Sequence, residues 1–459
     1  MTTPATTPQS ELHPPPERRL TLFGLICIAY FTTTGGAFGL EPLVGQVGPG
    51  WAVALILLAP VVWSLPMALM VAELATLMPE EGGYYIWVRE SLGSFWGVQE
   101  AWWTMGYGIA LAAIFPVLFV SYLTFFIPSL GLMAGGAGAA IRWLIAVLVI
   151  VTATAVNLRG AVDVGGWAKA SAIFIVACFG VMVLAWLMRT PHPAAALGVV
   201  RTDLSSGPPG ALLLGLSTIV FNFGGWDNVS PFAGEVDQPQ RNYPRALAVT
   251  LVVAVLSYLL PVIAGVSVTT DPQVWSADAG WPVIAQLIGG RWLGNLIAAA
   301  GLVSMWNLFN SQMLYVSRLP FVMAQDGWLP QVFSKVSDAA APTIAILVIS
   351  GLAAIFSALS FGSLALIQCL LYTAALVLEY VALVVLRVRR PDAHRSFRVP
   401  GRWWGLAYVC LLPLAASAVV LIVTLREWRS FPGQMAVVAM IVSSGLTLYF
   451  VRRKAPSRS

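Results

Sequence analysis

Long apolar runs, separated by short polar connections, fill almost the whole chain. A run of about 20 apolar residues is enough to cross a hydrocarbon core of about 30 Å as a helix. The pattern therefore predicts an all-α integral membrane protein, with little room for a soluble domain. We predict about twelve transmembrane helices, at residues 20–47, 51–78, 94–127, 140–158, 166–188, 211–234, 244–269, 284–323, 342–359, 362–387, 404–425 and 433–451.

The amino-acid composition agrees with this prediction. Of the 459 residues, 58% are hydrophobic and only 10% are charged, against roughly a quarter charged in a soluble domain. The net charge of +5 does not indicate a nucleic-acid partner, because the basic residues lie at the ends of apolar runs and form no stripe with interleaved aromatic residues. The lipid bilayer is the predicted environment.

The cysteines and histidines give no sign of a metal or a cofactor. The cysteines lie far apart inside apolar runs, and the histidines fall in polar connections. No nucleophile motif stands out either. We therefore predict no catalytic residue, no metal, no cofactor and no enzyme activity. The residues considered are Cys27, Cys178, Cys369, Cys410, His13, His192 and His394.

The basic residues predict the orientation in the membrane. With the N-terminus inside, about 19 of the 25 Lys and Arg fall on cytoplasmic loops and tails. The protein is then expected in the cytoplasmic (plasma) membrane, with both termini cytoplasmic. Residues 1–19 are rich in Thr and Pro and are predicted to be a disordered tail, and residues 452–459 are predicted to be a second cytoplasmic tail.

Two predicted spans are interrupted by glycines. The segment Thr32–Gly39 places three glycines and three threonines in the first span, and Asn222–Asp227 places two glycines in the sixth. Each glycine costs a helix about 1 kcal/mol relative to alanine, so both helices should unwind there. Unwound backbone at membrane depth is tolerated only where it is buried in protein or lines a water-filled cavity. The two breaks therefore mark a candidate site.

The breaks lie five spans apart, which fits two inverted repeats of five helices. In such carriers the substrate site lies near the membrane midplane, where the broken helices meet. Residues 20–387 would form this ten-helix transport core, and residues 388–451 would add two C-terminal helices. For either break alone, an ordinary glycine contact between packed helices is the alternative.

Several motifs, taken together, resemble the amino acid-polyamine-organocation transporters, and within them the branch of plant and protozoan polyamine uptake carriers. The resemblance covers nearly the whole chain. The motifs that carry it include Gly35–Glu41, Pro79–Tyr85, Asn157–Gly160, Ala233–Val236 and Arg395–Pro400.

This resemblance implies a leucine-transporter type of fold, in which helices one and six line the site together with three and eight. It also implies alternating access, with proton coupling or exchange more often than sodium coupling. The expected function is a secondary active transporter of amino acids or related amines. The sequence departs from the branch at Ala37, at Glu100 and in the segment Trp306–Gln312, so a polyamine-specific proton symporter remains an alternative.

A half-helix N-terminus attracts a carboxylate through its unpaired N–H groups and its partial positive charge. We predict that the donors belong to the residues at the two breaks, with added hydroxyl groups from two threonines. The alternative for the threonines is that they bond back to their own helix. The predicted donors are Gly35, Gly36, Ala37, Phe223, Gly224 and Gly225, and the hydroxyls are those of Thr33 and Thr34.

Acidic and aromatic residues beside the breaks predict recognition of an amine. A carboxylate deep in a span usually marks a substrate, ion or proton path. Asp227 is expected to bind the substrate amine, and Glu41 to bind a second amine or lie near the outer vestibule. Trp226 is expected to cover the amine by cation–π attraction, with core packing or membrane anchoring as its alternative.

Candidates for proton coupling lie on other spans. Glu100 and Glu379 are predicted to be intramembrane acids, with Tyr107 about two turns from Glu100. Lys169 could supply a positive charge where sodium-coupled relatives bind their ion, or extend its amine to the inner surface. Asn310 is expected to add a polar group to the site, with hydrogen bonding between helices as the alternative.

The expected partners are a small-molecule substrate, protons and lipid, while the oligomeric state is left open. A nontransporting sensor or a channel is the alternative from another class, but no appended soluble domain or filter repeat points to either. Charged residues of the cytoplasmic connections are expected to close the inner side through salt bridges. These residues are Glu80, Arg89, Glu90, Arg159, Glu235, Arg241, Arg245 and Arg318.

Overall fold

The computed structural model describes residues 19–132, 135–189, 198, 200, 209–276, 280–426 and 432–453. The tail predicted at residues 1–19 lies outside this part except for its last residue, and most of the tail at 452–459 lies outside as well. We number the α-helices in chain order: α1 (Leu22–Thr33), α2 (Glu41–Ala59), α3 (Leu65–Leu77), α4 (Tyr84–Leu92), α5 (Ser94–Leu123), α6 (Ser129–Leu132), α7 (Gly136–Asn157), α8 (Ala161–Arg189), α9 (Pro209–Asn222), α10 (Pro239–Val266), α11 (Pro272–Trp275), α12 (Gly280–Gly289), α13 (Arg291–Val316), α14 (Arg318–Gln325), α15 (Thr343–Phe356), α16 (Phe361–Arg389), α17 (Arg402–Arg426) and α18 (Pro432–Arg453).

These helices have the length and composition of membrane spans. Within the described ranges, 9 helical stretches are long and apolar enough to cross a bilayer, and α1, α12 and α15 are shorter apolar helices. Large apolar side chains also face outward, such as Leu148 at 62% and Leu184 at 59% exposure. Exposed apolar faces of this kind suit contact with lipid. The prediction of an all-α, multi-pass membrane protein is confirmed.

The first predicted break is present in the structure. Helix α1 ends at Thr33, where the N–H groups of Thr34 and Gly35 both donate to the carbonyl of Tyr30. The chain then passes through Gly35 and Gly36 with φ of 65° and 103°, a region that favours glycine. Helix α2 begins only at Glu41.

The sixth predicted span is broken as well. Helix α9 ends at Asn222, and Gly225 follows with a φ of 81°. Beyond it the chain makes only single turns of 3₁₀-helix, at Asp227–Val229 and Ala233–Glu235. No second half-helix follows this break in the described residues.

The boundaries between two pairs of helices can be compared with the predicted spans. The boundary predicted between the first two spans, at residues 47–51, coincides with a bend in α2 at Gly48 (φ 81°), beyond which the helix continues through a π-helical turn at Pro60–Ser64 into α3. The predicted eighth span at 284–323 began too early, because α12 ends at Gly289 and Gly290 (φ 89°) turns the chain before α13 begins. Hydrophobicity runs through both places, and only the glycines mark the turns.

Neighbouring helices bind the backbone groups that the breaks leave free. The indole of Trp281 on α12 donates a 2.7 Å hydrogen bond to the carbonyl of Ala37, and the Ser304 hydroxyl on α13 donates to the carbonyl of Gly35. The Tyr258 hydroxyl on α10 donates a 2.6 Å bond to the carbonyl of Asn222. Both breaks are therefore buried in protein, as backbone polar groups at membrane depth require.

Candidate functional site

A cavity of about 530 Å³ lies between the two breaks and helices α5, α13 and α16. Glu41 is the only charged residue among those that line it, and no basic side chain of the described residues does so. Towards one side the lining includes the exposed residues Gln46 and Ser276. The lining residues nearest to the breaks are Thr32, Thr33, Thr34, Phe38, Gly39, Glu41, Asn222, Gly224, Gly225 and Asn228, and the lining aromatic residues from other helices include Tyr107, Phe115, Tyr122, Tyr258 and Tyr372.

Glu41 lies in the cavity wall at the start of α2. Its side chain is buried, and its carboxylate Oε2 accepts a 2.7 Å hydrogen bond from the N–H of Gly39. The Tyr122 hydroxyl on α5 donates to the other carboxylate oxygen. Tyr122 was not among the predicted site residues, and its hydroxyl within the third span is the signal that could have identified it.

Asp227 lies one layer behind the cavity wall. Its carboxylate is fully buried and does not line the cavity, but the two tyrosines that contact it do. The Tyr372 hydroxyl donates a 2.7 Å bond to Asp227 Oδ1, and the Tyr107 hydroxyl lies 3.4 Å from Oδ2 and 2.9 Å from Oδ1 of Asn228. The rings of Tyr107 and Tyr372 pack edge to face, with centroids 5.0 Å apart. In this conformation Asp227 acts on the cavity through these phenols.

The predicted backbone donors need correction. Gly35 donates to Tyr30, Phe223 to the Ile219 carbonyl, and Gly225 to the Tyr372 hydroxyl at 2.9 Å. Gly224 likewise donates within its own turn. These groups follow the C-terminal ends of α1 and α9, where N–H groups complete helix turns and are not left free. Only the N–H groups of Gly36 and Ala37 lack a hydrogen-bond partner among the described residues.

Thr33 follows the alternative of bonding back to its own helix, whereas Thr34 bonds forward into the break. The Thr33 hydroxyl donates to the carbonyl of Ala29 at 2.8 Å, and the Thr34 hydroxyl donates to the carbonyl of Gly36 at 3.1 Å. Both residues still line the cavity. Their hydroxyl oxygens can accept a bond from a ligand, but their protons are already used.

Trp226 and Asn310 are placed away from the cavity, which corrects their predicted roles. Trp226 is fully buried in the core and donates its indole N–H to the carbonyl of Phe223 at 2.8 Å. Asn310 donates to the Trp306 carbonyl and accepts a 2.9 Å bond from Asn157, so it joins α13 to α7. The Phe223 ring packs against Tyr258, and its side chain is buried as well.

The predicted coupling acids are brought together with Asp227. Glu100 on α5 and Glu379 on α16 are fully buried, and each is close enough to Asp227 for an electrostatic interaction. Thr104 donates a 2.8 Å bond to one oxygen of Glu100. The other oxygen of Glu100 and both oxygens of Glu379 have no hydrogen-bond partner within the described part of the chain. Lys169 lies elsewhere, on α8 beside Gly24 of α1.

The side opposite to the exposed lining residues is closed by backbone and ionic contacts. The N–H of Leu20, just before α1, donates a 2.9 Å bond to the carbonyl of Glu235, and the N–H of Asp237 donates a 3.0 Å bond back to Leu20. The carboxylate of Glu235 pairs with the buried Arg318 at 2.7 Å. Glu81 interacts electrostatically with both Glu235 and Arg318. We call the set Leu20, Glu81, Glu235, Asp237 and Arg318 the inner latch, after the predicted cytoplasmic side.

A second ionic cluster on this side was missed by the sequence interpretation. Glu73 on α3 is fully buried and pairs with Arg387, while the Arg395 guanidinium lies 3.2 Å away. Of the predicted gate residues, Arg89 and Glu90 also form ion pairs. Glu73 lies in the middle of an apolar run, and its partners lie far away in the sequence. Nothing near Glu73 in the sequence therefore indicated an ion pair.

The fold and the site together define a multi-pass membrane protein with a cavity between two broken helices, as in a membrane carrier. The profile of the amino acid permease family matches residues 20–442. The chain belongs to this family.

Two plant proteins are among its relatives. The polyamine transporter RMV1 of Arabidopsis thaliana is 34% identical over 92% of this chain and 83% of its own length. The polyamine transporter PUT1 of Oryza sativa subsp. japonica is 35% identical over 96% of this chain and 80% of its own length. The uncharacterized transporter Rv1999c of Mycobacterium tuberculosis is 26% identical over 70% and 68% of the two chains. The predictions of a permease, and of a protein other than an enzyme, are confirmed.

Proposed function

We propose that this chain is a secondary active transporter that carries polyamines and related organic amines across the cytoplasmic membrane. The observation that supports this most directly is the charge of the cavity. Among the described residues, Glu41 is the only charged one that lines the cavity, and Asp227 lies behind two lining tyrosines without an ion pair to a described basic residue. Acids at membrane depth attract a cation, which an organic amine supplies.

The apolar part of such a substrate also fits the cavity. Aromatic rings of Phe38, Phe115 and several tyrosines face the same space. Methylene chains gain from burial against these rings, and ammonium groups are attracted to ring faces by about 0.5–2 kcal/mol. The polyamine transporters RMV1 and PUT1 give the same substrate class, by analogy.

An amino acid carrier is the second candidate. It is favoured by the N–H groups of Gly36 and Ala37, which lie in the first break without hydrogen-bond partners among the described residues. Such groups can bind a carboxylate. The name of the matching family, amino acid permease, supports this candidate by analogy.

The proposed architecture has twelve spans. Here α1 with the first turns of α2 forms the first span, and the bend at Gly48 begins the second. Spans one to five and six to ten form two inverted repeats over residues 20–387, and residues 388–451 add two helices. Both termini are cytoplasmic in the plasma membrane, because the arginine-rich side is then inside. The cavity then opens outward, above a closed inner latch.

Alternating access is proposed to be coupled to protons. Glu379 and Glu100 support this, because both are fully buried, interact electrostatically with Asp227 and carry oxygens without hydrogen-bond partners among the described residues. Burial of an isolated carboxylate penalises its charged form, so such an acid can exchange a proton when its surroundings change. Release of the amine changes the charge beside Asp227, which links the two events.

Ligand binding to the purified protein in detergent tests the proposed substrate class. Putrescine and spermidine should raise the melting temperature of the wild type, because a ligand that binds only the folded state stabilises it. Asp227→Asn should abolish this shift while the protein stays folded. The control is Asp271→Asn, which changes an exposed acid at the start of α11 and should bind like the wild type. Stabilisation by leucine and alanine, without stabilisation by amines, would favour the second candidate.

A further inference from the structure

The carboxylate of Glu41 lies where helix α2 begins, at the end of the first break. Its side chain also packs against Gly280 of α12. The carboxylate oxygen Oε2 accepts a 2.7 Å hydrogen bond from the N–H of Gly39. A helix N-terminus carries unpaired N–H groups and a partial positive charge, so the start of α2 favours an anion at this position.

This anion site is filled by the protein itself. The Gly39 N–H donates to one carboxylate oxygen, and the Tyr122 hydroxyl donates to the other. The packing is close, since a Cβ built on Gly280 would come 3.0 Å from Glu41 Cγ. The side chain is only 3% exposed, yet it belongs to the cavity wall. The carboxylate is therefore held in place at the cavity wall.

In carriers built on broken helices, half-helix N-termini typically point at an anionic group of the substrate. We infer that Glu41 is a built-in substitute for that group, which makes the carrier selective for amines that have no carboxylate. The inference rests on the proposed function, because it specifies the substrate of the same cavity.

Electrostatics gives the reason for the selectivity. A substrate carboxylate at this end of the cavity would lie next to Glu41. The Gly39 N–H and the Tyr122 hydroxyl, which could have bound it, already donate to Glu41. Two like charges close together in a site of low dielectric repel each other strongly. A substrate with only ammonium groups meets the opposite situation, since the fixed charge of Glu41 attracts it.

Pairs of substrates that differ by one carboxylate isolate this effect. Cadaverine and lysine form one pair, putrescine and ornithine a second, and agmatine and arginine a third. Each compound is used to inhibit uptake of labelled putrescine into proteoliposomes. For the wild type we expect each amine to inhibit at a concentration at least about a hundredfold lower than its amino acid.

Two variants of Glu41 test the role of its charge. Glu41→Ala empties the anion site, so amino acids should gain affinity and amines should lose it. The ratio between the inhibitory concentrations of each amino acid and its amine should fall by about tenfold or more. Glu41→Gln keeps the shape and removes the charge, so amines should lose affinity and amino acids should gain little. The control is Asp338→Ala, which removes an exposed carboxylate and should keep the wild-type ratio.

Chemical rescue gives a second measurement. Acetate or propionate should enter the space left in Glu41→Ala and restore putrescine binding, with no effect on the wild type. Gel filtration and melting temperature show whether each variant is folded. If Glu41→Ala does not fold, the ratio measured for Glu41→Gln decides.

The inference is overturned if the wild-type protein binds lysine as tightly as it binds cadaverine. It is also overturned if a folded Glu41 variant keeps the wild-type ratio of inhibitory concentrations. The proposed function fails in a different way, namely if the wild type neither binds nor transports any of the three amines. Amine transport with an unchanged ratio in the variants would leave the proposed function intact and remove only the role of Glu41.

Discussion

The hydroxyl of Tyr372 connects two elements of the cavity wall through Asp227. It donates a 2.7 Å hydrogen bond to Asp227 Oδ1 and accepts a 2.9 Å bond from the N–H of Gly225. Tyr372 lies on α16, whereas Asp227 and Gly225 belong to the break in the sixth span. Movement of α16 relative to this break must therefore change both bonds. The phenol links the contents of the cavity to the arrangement of the helices around it.

Tyr372→Phe should weaken amine binding. The substitution leaves the Gly225 N–H and the Asp227 carboxylate without this partner, and unpaired buried groups cost about 1–3 kcal/mol each. The apparent affinity for putrescine should fall by about tenfold to a hundredfold. Tyr408→Phe is the matched control, because its hydroxyl bonds the carbonyl of Val61 and Tyr408 does not line the cavity. Equal affinities in the two variants would contradict this role of Tyr372.

Gly36→Ala should impair transport although it adds only one methyl group. Gly36 has a φ of 103°, and a Cβ there would lie 2.9 Å from Ile175 Cγ2. Both the backbone and the space oppose a side chain. Gly180→Ala is the control, since a Cβ at Gly180 meets nothing within 4 Å and alanine suits a helix. Uptake by Gly36→Ala at the rate of the control would show that the first break tolerates a side chain.

Glu379→Gln should separate exchange from proton-driven uptake. Glutamine has a similar shape but cannot carry a proton, so an inward proton gradient should no longer accelerate uptake, while exchange of internal for external putrescine continues. Asp392→Asn changes an exposed acid between α16 and α17 and should respond to the gradient like the wild type. A normal gradient response in Glu379→Gln would leave Glu100 as the coupling candidate to test.

The inner latch should respond to pH through Glu81. Burial raises the pKa of Glu81 to about 7; the neighbouring Glu235 adds to the rise, and Arg318 opposes it. In an open, solvated latch the value should return towards about 4.3. The closed form thus binds the proton more tightly. Its added stability is present at low pH and is lost as pH rises through about 7.

Double electron–electron resonance can measure this opening as a change in the distance between two spin labels. The labels replace Arg19 and Asp237 in a variant without native cysteines. Molecules with a short distance between the labels should predominate at about pH 5, and their fraction should be smaller at about pH 8. Glu81→Gln mimics the protonated acid and should keep the short distance at both pH values. Should the wild type and Glu81→Gln show the same pH profile, another group must titrate.

The breaks could be predicted because their cause is local. Glycines such as Gly36 and Gly225 cannot hold a helix well, and the structure unwinds there. The bend at Gly48 and the turn at Gly290 have the same cause. The bend at Gly48 falls on a predicted boundary, whereas Gly290 lies beside a hydrophobic run, and hydropathy alone did not separate α12 from α13.

The detail of the site depends on contacts between distant residues, which hydrophobicity does not encode. The sequence marks Glu41 and Asp227 as intramembrane acids, but not that Tyr122 and Tyr372 bind them from α5 and α16. Trp226 lies beside a break, yet its side chain turns into the core. The predicted N–H donors follow the C-terminal ends of α1 and α9. N–H groups at that end of a helix complete its last turn, so most of them are not free for a ligand.

Uptake of labelled putrescine into proteoliposomes, with and without an inward proton gradient, tests the central claim most directly. Leucine, alanine and arginine are measured in parallel, and sodium is replaced in a further set. An amine carrier with acids at its cavity should concentrate putrescine, respond to the proton gradient and not require sodium. Uptake of the amino acids alone, with no uptake of putrescine under any gradient, would contradict the account.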